Sequence, residues 1–226
     1  MTDYQQILKE LKSRSNPRNV EGMARFGINP RNTLGVSMPE LRKLGKNIGR
    51  DHVLALKLWD SGIHEARILA ALIDEPKKVT ESQMESWVKQ FDSWDVCDQV
   101  CMNLFEKSPL VWKKIVDWSA REEEFVKRTA FALLACLAWH DKKAADAQFI
   151  AALPVINAGA TDNRNFVKKA VNWALRNIGK RNTNLNRAAL HAAREIGQMD
   201  SKAARWVAAD AIRELESEAV QARLRE

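Results

Sequence analysis

No apolar run in this 226-residue chain approaches the roughly 20 residues that a membrane-spanning helix requires. The stretch from Met1 to Ser15 is polar and charged, which excludes a secretion signal. Alternating apolar and polar residues, the mark of a half-buried strand, are missing throughout. There are three cysteines, an odd and irregularly placed set that argues against a disulfide framework and for reduced thiols in the cytosol. Cys97 and Cys101 are one helical turn apart without a nearby histidine, so they read as buried thiols and not as metal ligands. No Gly-rich phosphate loop, metal motif or nucleophile signature is present, which disfavours a small-molecule enzyme. Tyrosine is nearly absent as well: one Tyr stands against eight Trp, and several of those indoles need a place.

What is present is helix and positive charge. The formal charge is +7 and the pI about 9.4, a balance that favours an anionic partner. Helical periodicity predicts segments near 3–13, 17–25, 38–48, 51–59, 64–73, 80–90, 94–106, 109–117, 122–139, 143–153, 164–179, 184–196 and 200–216. Turn and cap chemistry separates them at Asn29-Pro30, Gly35, Pro76, Ser93, Ser108-Pro109 and Gly159. From about residue 214 the chain is charged and is expected to fray. The length suits one domain spanning 1–226, or a short repeat array.

Acidic residues are also missing where basic ones gather. Between Asn163 and Arg194 stand eight Lys/Arg and no Asp or Glu. Within that span Val167, Ala170, Val171, Ala174 and Ile178 form one apolar stripe, and Trp173 falls on nearly the opposite side. Its neighbours there are Lys169, Arg176 and Lys180. An aromatic ring among cations suits a ligand that is anionic and flat-ringed, which describes nucleic acid. Taken alone, this helix also allows Trp173 to pack under a neighbour above an ordinary solvated face.

Several helices resemble one another. FVKRTAFALL (Phe125–Leu134) aligns without gaps on FVKKAVNWAL (Phe166–Leu175), 41 residues on. HEARILAAL (His64–Leu72) fits the same template, and DVCDQVCMNL (Asp95–Leu104) fits it more weakly. Arg67, Asp98, Arg128 and Lys169 become equivalent positions. Helix pairs recurring at this period predict an all-α solenoid of HEAT-like repeats, with the aligned residues in a row along a concave basic face.

One acid in a basic row calls for a reason. Trp94 and Asp98 are i,i+4 neighbours on a flank that also includes Phe105, so the carboxylate lies against an indole. It could answer a positive charge in a ligand, or it could pair with Arg128 or Arg67 of an adjacent repeat. Arg128 points away from the core stripe of its helix and has Ala132, Ala135 and Trp139 above it. Small residues there admit another surface, and the planar guanidinium fork suits phosphate.

SWDVCDQV, EEEFVKRTAFALL and NFVKKAVNWALRNIG, in that order, together with GMARFGINPRNTLGVSMPELRKLGKNI, resemble the HEAT-like-repeat DNA alkylation repair glycosylases, the AlkD family, over about residues 20–215. That resemblance implies hydrolysis of the N-glycosidic bond of cationic N3- and N7-alkylated purines in duplex DNA, without conventional base flipping. It assigns Trp94, Asp98 and Trp173 to the damaged nucleotide and Arg128 to the backbone. Phe26 stands where some relatives carry Tyr, which removes a hydroxyl. Arg67, Lys168, Lys169, Arg176, Lys180 and Arg181 complete the expected DNA-contacting set. The expectations are therefore a cytoplasmic, nucleoid-associated monomer whose partner is alkylated duplex DNA, with no metal, no cofactor and no membrane contact. A non-catalytic HEAT-like module that binds DNA structures and a protein scaffold are the competing readings. The first would not need Asp98, and the second would not need a Trp on a basic helix.

Overall fold

A computed structural model describes residues 4–225, and every described element is helical. The chain divides into two compact units, 1–109 and 110–226. The first holds α1 (Tyr4–Ser13), α2 (Pro17–Arg25), α3 (Met38–Ile48), α4 (His52–Asp60), α5 (His64–Ile73), α6 (Glu81–Val88) and α7 (Trp94–Asn103). The second holds α8 (Val111–Ser119), α9 (Glu124–His140), α10 (Asp146–Gly159), α11 (Asn165–Gly179), α12 (Thr183–Gly197), α13 (Lys202–Leu215) and α14 (Glu218–Arg223).

Helix starts follow local capping chemistry. Asp51, Thr80, Asn182 and Ser201 each accept a backbone N–H from three residues on, satisfying donors that the first turn leaves open. Pro17 and Pro39 sit in first turns, where a missing N–H costs little.

The repeat register is visible in contacts between aligned residues. His64 and Asp95 begin two equivalent segments, and the imidazole Nε2 lies 2.8 Å from the carboxylate. Phe125 and Phe166 begin the next two, and their rings stack with centroids 5.7 Å apart. Residues 31 apart thus meet in the first unit, and residues 41 apart meet in the second.

Three expectations need correction. α10 continues through Pro154 to Gly159. Burial of Phe149, Ala152, Leu153 and Ile156 along one face outweighs the hydrogen bond that Pro removes. Gly159 then lets the Phe131 ring approach, since a Cβ there would lie 2.3 Å from it. The charged C-terminal stretch forms α14, capped by Ser217, with Val220 buried and Gln221 donating to Asn186. α7 ends at Asn103, so Phe105 leaves the flank of Trp94 and Asp98 and lies fully buried near Trp87, 6.2 Å between centroids.

The indoles sort clearly. Trp59 and Trp87 stack at 3.9 Å within the first core, and Trp118 is fully buried in the second. Trp139 and Trp206 are 56% and 40% exposed. All three cysteines are buried.

Candidate functional site

In the N-terminal unit the loop between α2 and α3 decides how Trp94 is held. Glu65, fully buried at the start of α5, accepts the backbone N–H groups of Leu34, Gly35 and Val36 at 2.8, 2.6 and 3.3 Å. Gly35 has φ +79°, and a Cβ there would meet the Asn16 carbonyl oxygen at 2.3 Å, so only glycine fits this turn. Earlier in the same loop, the Asn29 N–H donates to the Ser93 hydroxyl at 2.8 Å, and its amide donates to Asp92 at 2.8 Å. These bonds bring the Phe26 carbonyl to the start of α7, where it accepts the Trp94 indole N–H at 3.0 Å. The indole is thereby fixed at its polar edge while its ring remains half-buried. Phe26 itself is 76% exposed beside it.

Asp98 lies one turn beyond Trp94 with 8% of its surface exposed. A carboxylate this shielded exerts a stronger field on a cation than one in bulk water. His64 reinforces the start of α7. Burial works against its protonation, but the hydrogen bond and charge of Asp95 outweigh that and raise its pKa above the usual value. Arg67 sits over the Trp59 ring at 5.1 Å and donates to the backbone carbonyl and side-chain oxygen of Gln90 at 3.1 and 3.2 Å.

In the C-terminal unit, the stripe Val167, Ala170, Val171, Ala174 and Ile178 is fully buried, and Trp173 stays outside it, half-buried. Arg128 is 5% exposed and donates to the Phe166 carbonyl at 2.5 Å, tying α9 to the first turn of α11. The surface that Ala132 and Ala135 admit includes α11: both alanines are buried, and Asn177 donates to the Ala135 carbonyl at 3.1 Å.

The cations around Trp173 are less alike than the sequence suggested. Lys169 is exposed, and Lys168 lies over the Trp206 ring at 4.9 Å. Arg176 and Lys180 both bind Glu214 of α13, Lys180 at 2.7 Å, and Arg176 also approaches Asp210 at 3.8 Å. The acids missing from Asn163–Arg194 are therefore supplied by a neighbouring helix. Burial pushes the Glu214 carboxyl up, but its bonds to Lys180 and Arg176 prevail and hold it below the ordinary glutamate value. Arg181 covers Phe149 at 4.3 Å and donates to the carbonyls of Leu137, Ala138 and Ala144, and burial lowers its pKa.

A cleft of about 970 Å³ opens beside Trp173, with Trp139, Lys142, Asn177 and Arg223 among its walls. Trp139 had counted in the sequence only as a residue above Arg128. A Trp-His pair at the end of an otherwise apolar helix was the available signal. Among the described residues, no group of three or more His, Cys, Asp or Glu could hold a metal ion. No helix among them is long and apolar enough to cross a membrane.

The family model described as DNA alkylation repair enzyme matches residues 7–215. A search of curated protein sequences returns no significant match. Among solved structures, the chain is similar to a protein described as belonging to a new family related to the HEAT-like repeat DNA glycosylases, with affinity for branched DNA structures. Identity is 19%, coverage is 99% of this chain and 96% of that one, and the TM-score is 0.82, which establishes the HEAT-like repeat fold. An engineered protein (15% identity, 96% and 99% coverage, TM-score 0.43) and a designed armadillo repeat protein in complex with a (KR)4 peptide (17% identity, 82% and 78% coverage, TM-score 0.40) are more distant.

Proposed function

This chain belongs to the DNA alkylation repair enzyme family, and from that premise we propose that it is a DNA glycosylase that excises cationic N3- and N7-alkylated purines from duplex DNA. The observation that carries this reading is the pairing of Trp94 and Asp98 on one turn of α7, an indole pinned by its N–H and a carboxylate only 8% exposed.

The chemistry asks for little else. An N3- or N7-alkylated purine already carries positive charge and leaves without being protonated, so no general acid is needed. As the glycosidic bond breaks, positive charge develops on the deoxyribose. A carboxylate fixed in advance stabilises that charge without reorganising, and this is where most catalysis of this type originates. Asp98 fills that role and orients the attacking water. The indole of Trp94 holds the cationic base by cation–π attraction, worth about 0.5–2 kcal/mol for a well-placed ring. A neutral lesion lacks both the leaving-group activation and the ring attraction, and is a poor substrate. Arg128, Arg67, Lys168, Lys169 and Arg181 contact the DNA backbone, joined in part by Arg176 and Lys180.

The similarity to a protein with affinity for branched DNA supports a second reading, a DNA-structure-binding module without excision. One experiment separates the two: single-turnover incubation with a duplex carrying one 7-methylguanine, scored by abasic sites. The parent is expected to excise, and Asp98→Asn to lose about 10²–10³-fold in rate while duplex affinity stays within a few-fold. If Asp98→Asn excises as fast as the parent, or the parent makes no abasic sites, the glycosylase reading fails.

A further inference from the structure

We propose that the cleft beside Trp173 receives an unpaired nucleotide of a DNA strand, its base on the Trp139 ring and its phosphate held by Lys142 and Arg223. The inference rests on the DNA reading above but uses residues that reading leaves idle.

Trp139 stands in the last turn of α9 and is 56% exposed, more than any core packing role requires. Its plane is set by His140, whose ring stacks on it at 4.9 Å and 24°. The cleft it lines, about 970 Å³, lies within the range of ligand-binding cavities and has room for a nucleotide. Lys142 is exposed, and among the described residues no carboxylate forms an ion pair with it. Arg223 donates to the Lys180 carbonyl at 3.0 Å, a neutral partner that fixes the guanidinium without cancelling its charge. The acid in the cleft wall, Asp146, has its two oxygens engaged by the amides of Asn182 and Asn184 at 2.9 and 2.8 Å. Asp146 keeps its negative charge, but it pairs with neither Lys142 nor Arg223, and a flat ring flanked by these two cations matches a base joined to a phosphate.

The same geometry selects an unpaired nucleotide. Within an intact duplex both faces of every internal base are covered by its neighbours, so a ring that recognises by stacking gains nothing there. A base in a single-stranded tail, gap or branch offers its face freely.

The test is a fluorescence anisotropy titration of the full chain with two probes, a blunt duplex and the same duplex carrying a short single-stranded thymidine tail. The parent is expected to bind the tailed probe at least about fivefold more tightly, the lower end of what one stacked base contributes. Trp139→Ala should bring the affinity ratio close to one, Trp139→Phe should keep most of it, and Lys142→Glu should reduce it. Because Trp139 and Lys142 are exposed, these variants should fold, which a melting curve verifies. Equal affinity of the parent for both probes, or an unchanged preference in Trp139→Ala, overturns the inference and leaves the duplex-repair reading standing. If the parent binds neither probe, both fail. Asp98→Asn should keep the tail preference even where excision is lost, so the two activities fail separately.

Discussion

Glu214→Gln should make the protein less stable and its grip on DNA stronger. Glu214 lies in the last turn of α13, where the carbonyl end of the helix disfavours a carboxylate. It is kept there by Arg176 and Lys180, which stand at the corresponding end of α11, where cations are favoured. The three side chains are 28%, 25% and 30% exposed, so solvent screens the bridges only in part. Exposed pairs contribute about 0.2–1 kcal/mol each. Two pairs at the upper end of that range give about 1–2 kcal/mol, offset slightly by relief of the unfavourable helix-end position. For a chain of this size that corresponds to a melting temperature lower by about 3–6 °C. The carboxylate also neutralises cations of the basic helix. Removing it frees Lys180 for phosphate and leaves Arg176 only its longer 3.8 Å approach to Asp210, so affinity for undamaged duplex should rise at low salt and the slope of log K against log salt should steepen by up to about one. Calorimetry and anisotropy at several salt concentrations read the two effects. A lower melting temperature with unchanged or weaker DNA affinity would refute the assignment of this helix to DNA, because the freed charge would then face nothing anionic.

Two further expectations follow from the same structure. Lys169→Glu, at an exposed position, should weaken binding to all duplex sequences alike and make the salt slope shallower by about one, and an unchanged slope would remove Lys169 from the interface. His64 has its pKa raised chiefly by Asp95 against the cost of burial. Its contribution to stability is thus fully present below the unfolded value of about 6.5 and is lost as pH rises through the higher folded value. The stability gap between the parent and Asp95→Asn should narrow over that window in denaturant titrations run at stepped pH, and a gap that is constant with pH would show that the pair is held uncharged.

Helix positions and the repeat register were legible because both are local or periodic. Burial of one face imposes the 3.6-residue period, and stacking of equivalent helices brings residues such as Phe125 and Phe166 ring to ring. What could not be read is what long-range pairing does to a local charge count. Arg176 and Lys180 looked uncompensated because their partner Glu214 lies 38 and 34 residues away. Carrying the repeat offset one helix further would have placed α13 beside α11 and exposed the pairing. Glu65 was equally hidden. An acid in the first turn of an apolar helix reads as an ordinary dipole-favoured residue, and nothing in the sequence says that a loop 29–31 residues upstream turns three N–H groups toward it. The end of α10 was misplaced because Pro154 is a strong local stop signal that tertiary burial overrides.

The intramolecular partners of the basic residues also decide how each can serve DNA. A carboxylate partner orients a cation and cancels its charge, whereas a carbonyl or an aromatic ring orients it and leaves the charge in place. Arg67 is held by Gln90 and Trp59, Lys168 by Trp206, and Arg181 by three carbonyls and Phe149. These three are ordered before any ligand arrives and still carry full charge, so phosphate contact costs them little side-chain entropy. Arg176 and Lys180 must first give up Glu214, a loss that offsets much of what a phosphate returns. Counterion release should therefore scale with the carbonyl- and ring-held set together with Lys169, and fall short of the slope that every Lys and Arg between Asn163 and Arg194 would produce. Sequence composition alone would overestimate the salt dependence of this protein, because Asp162, Glu214 and Glu216 hold Arg164, Arg176, Lys180 and Arg194 of that span in ion pairs.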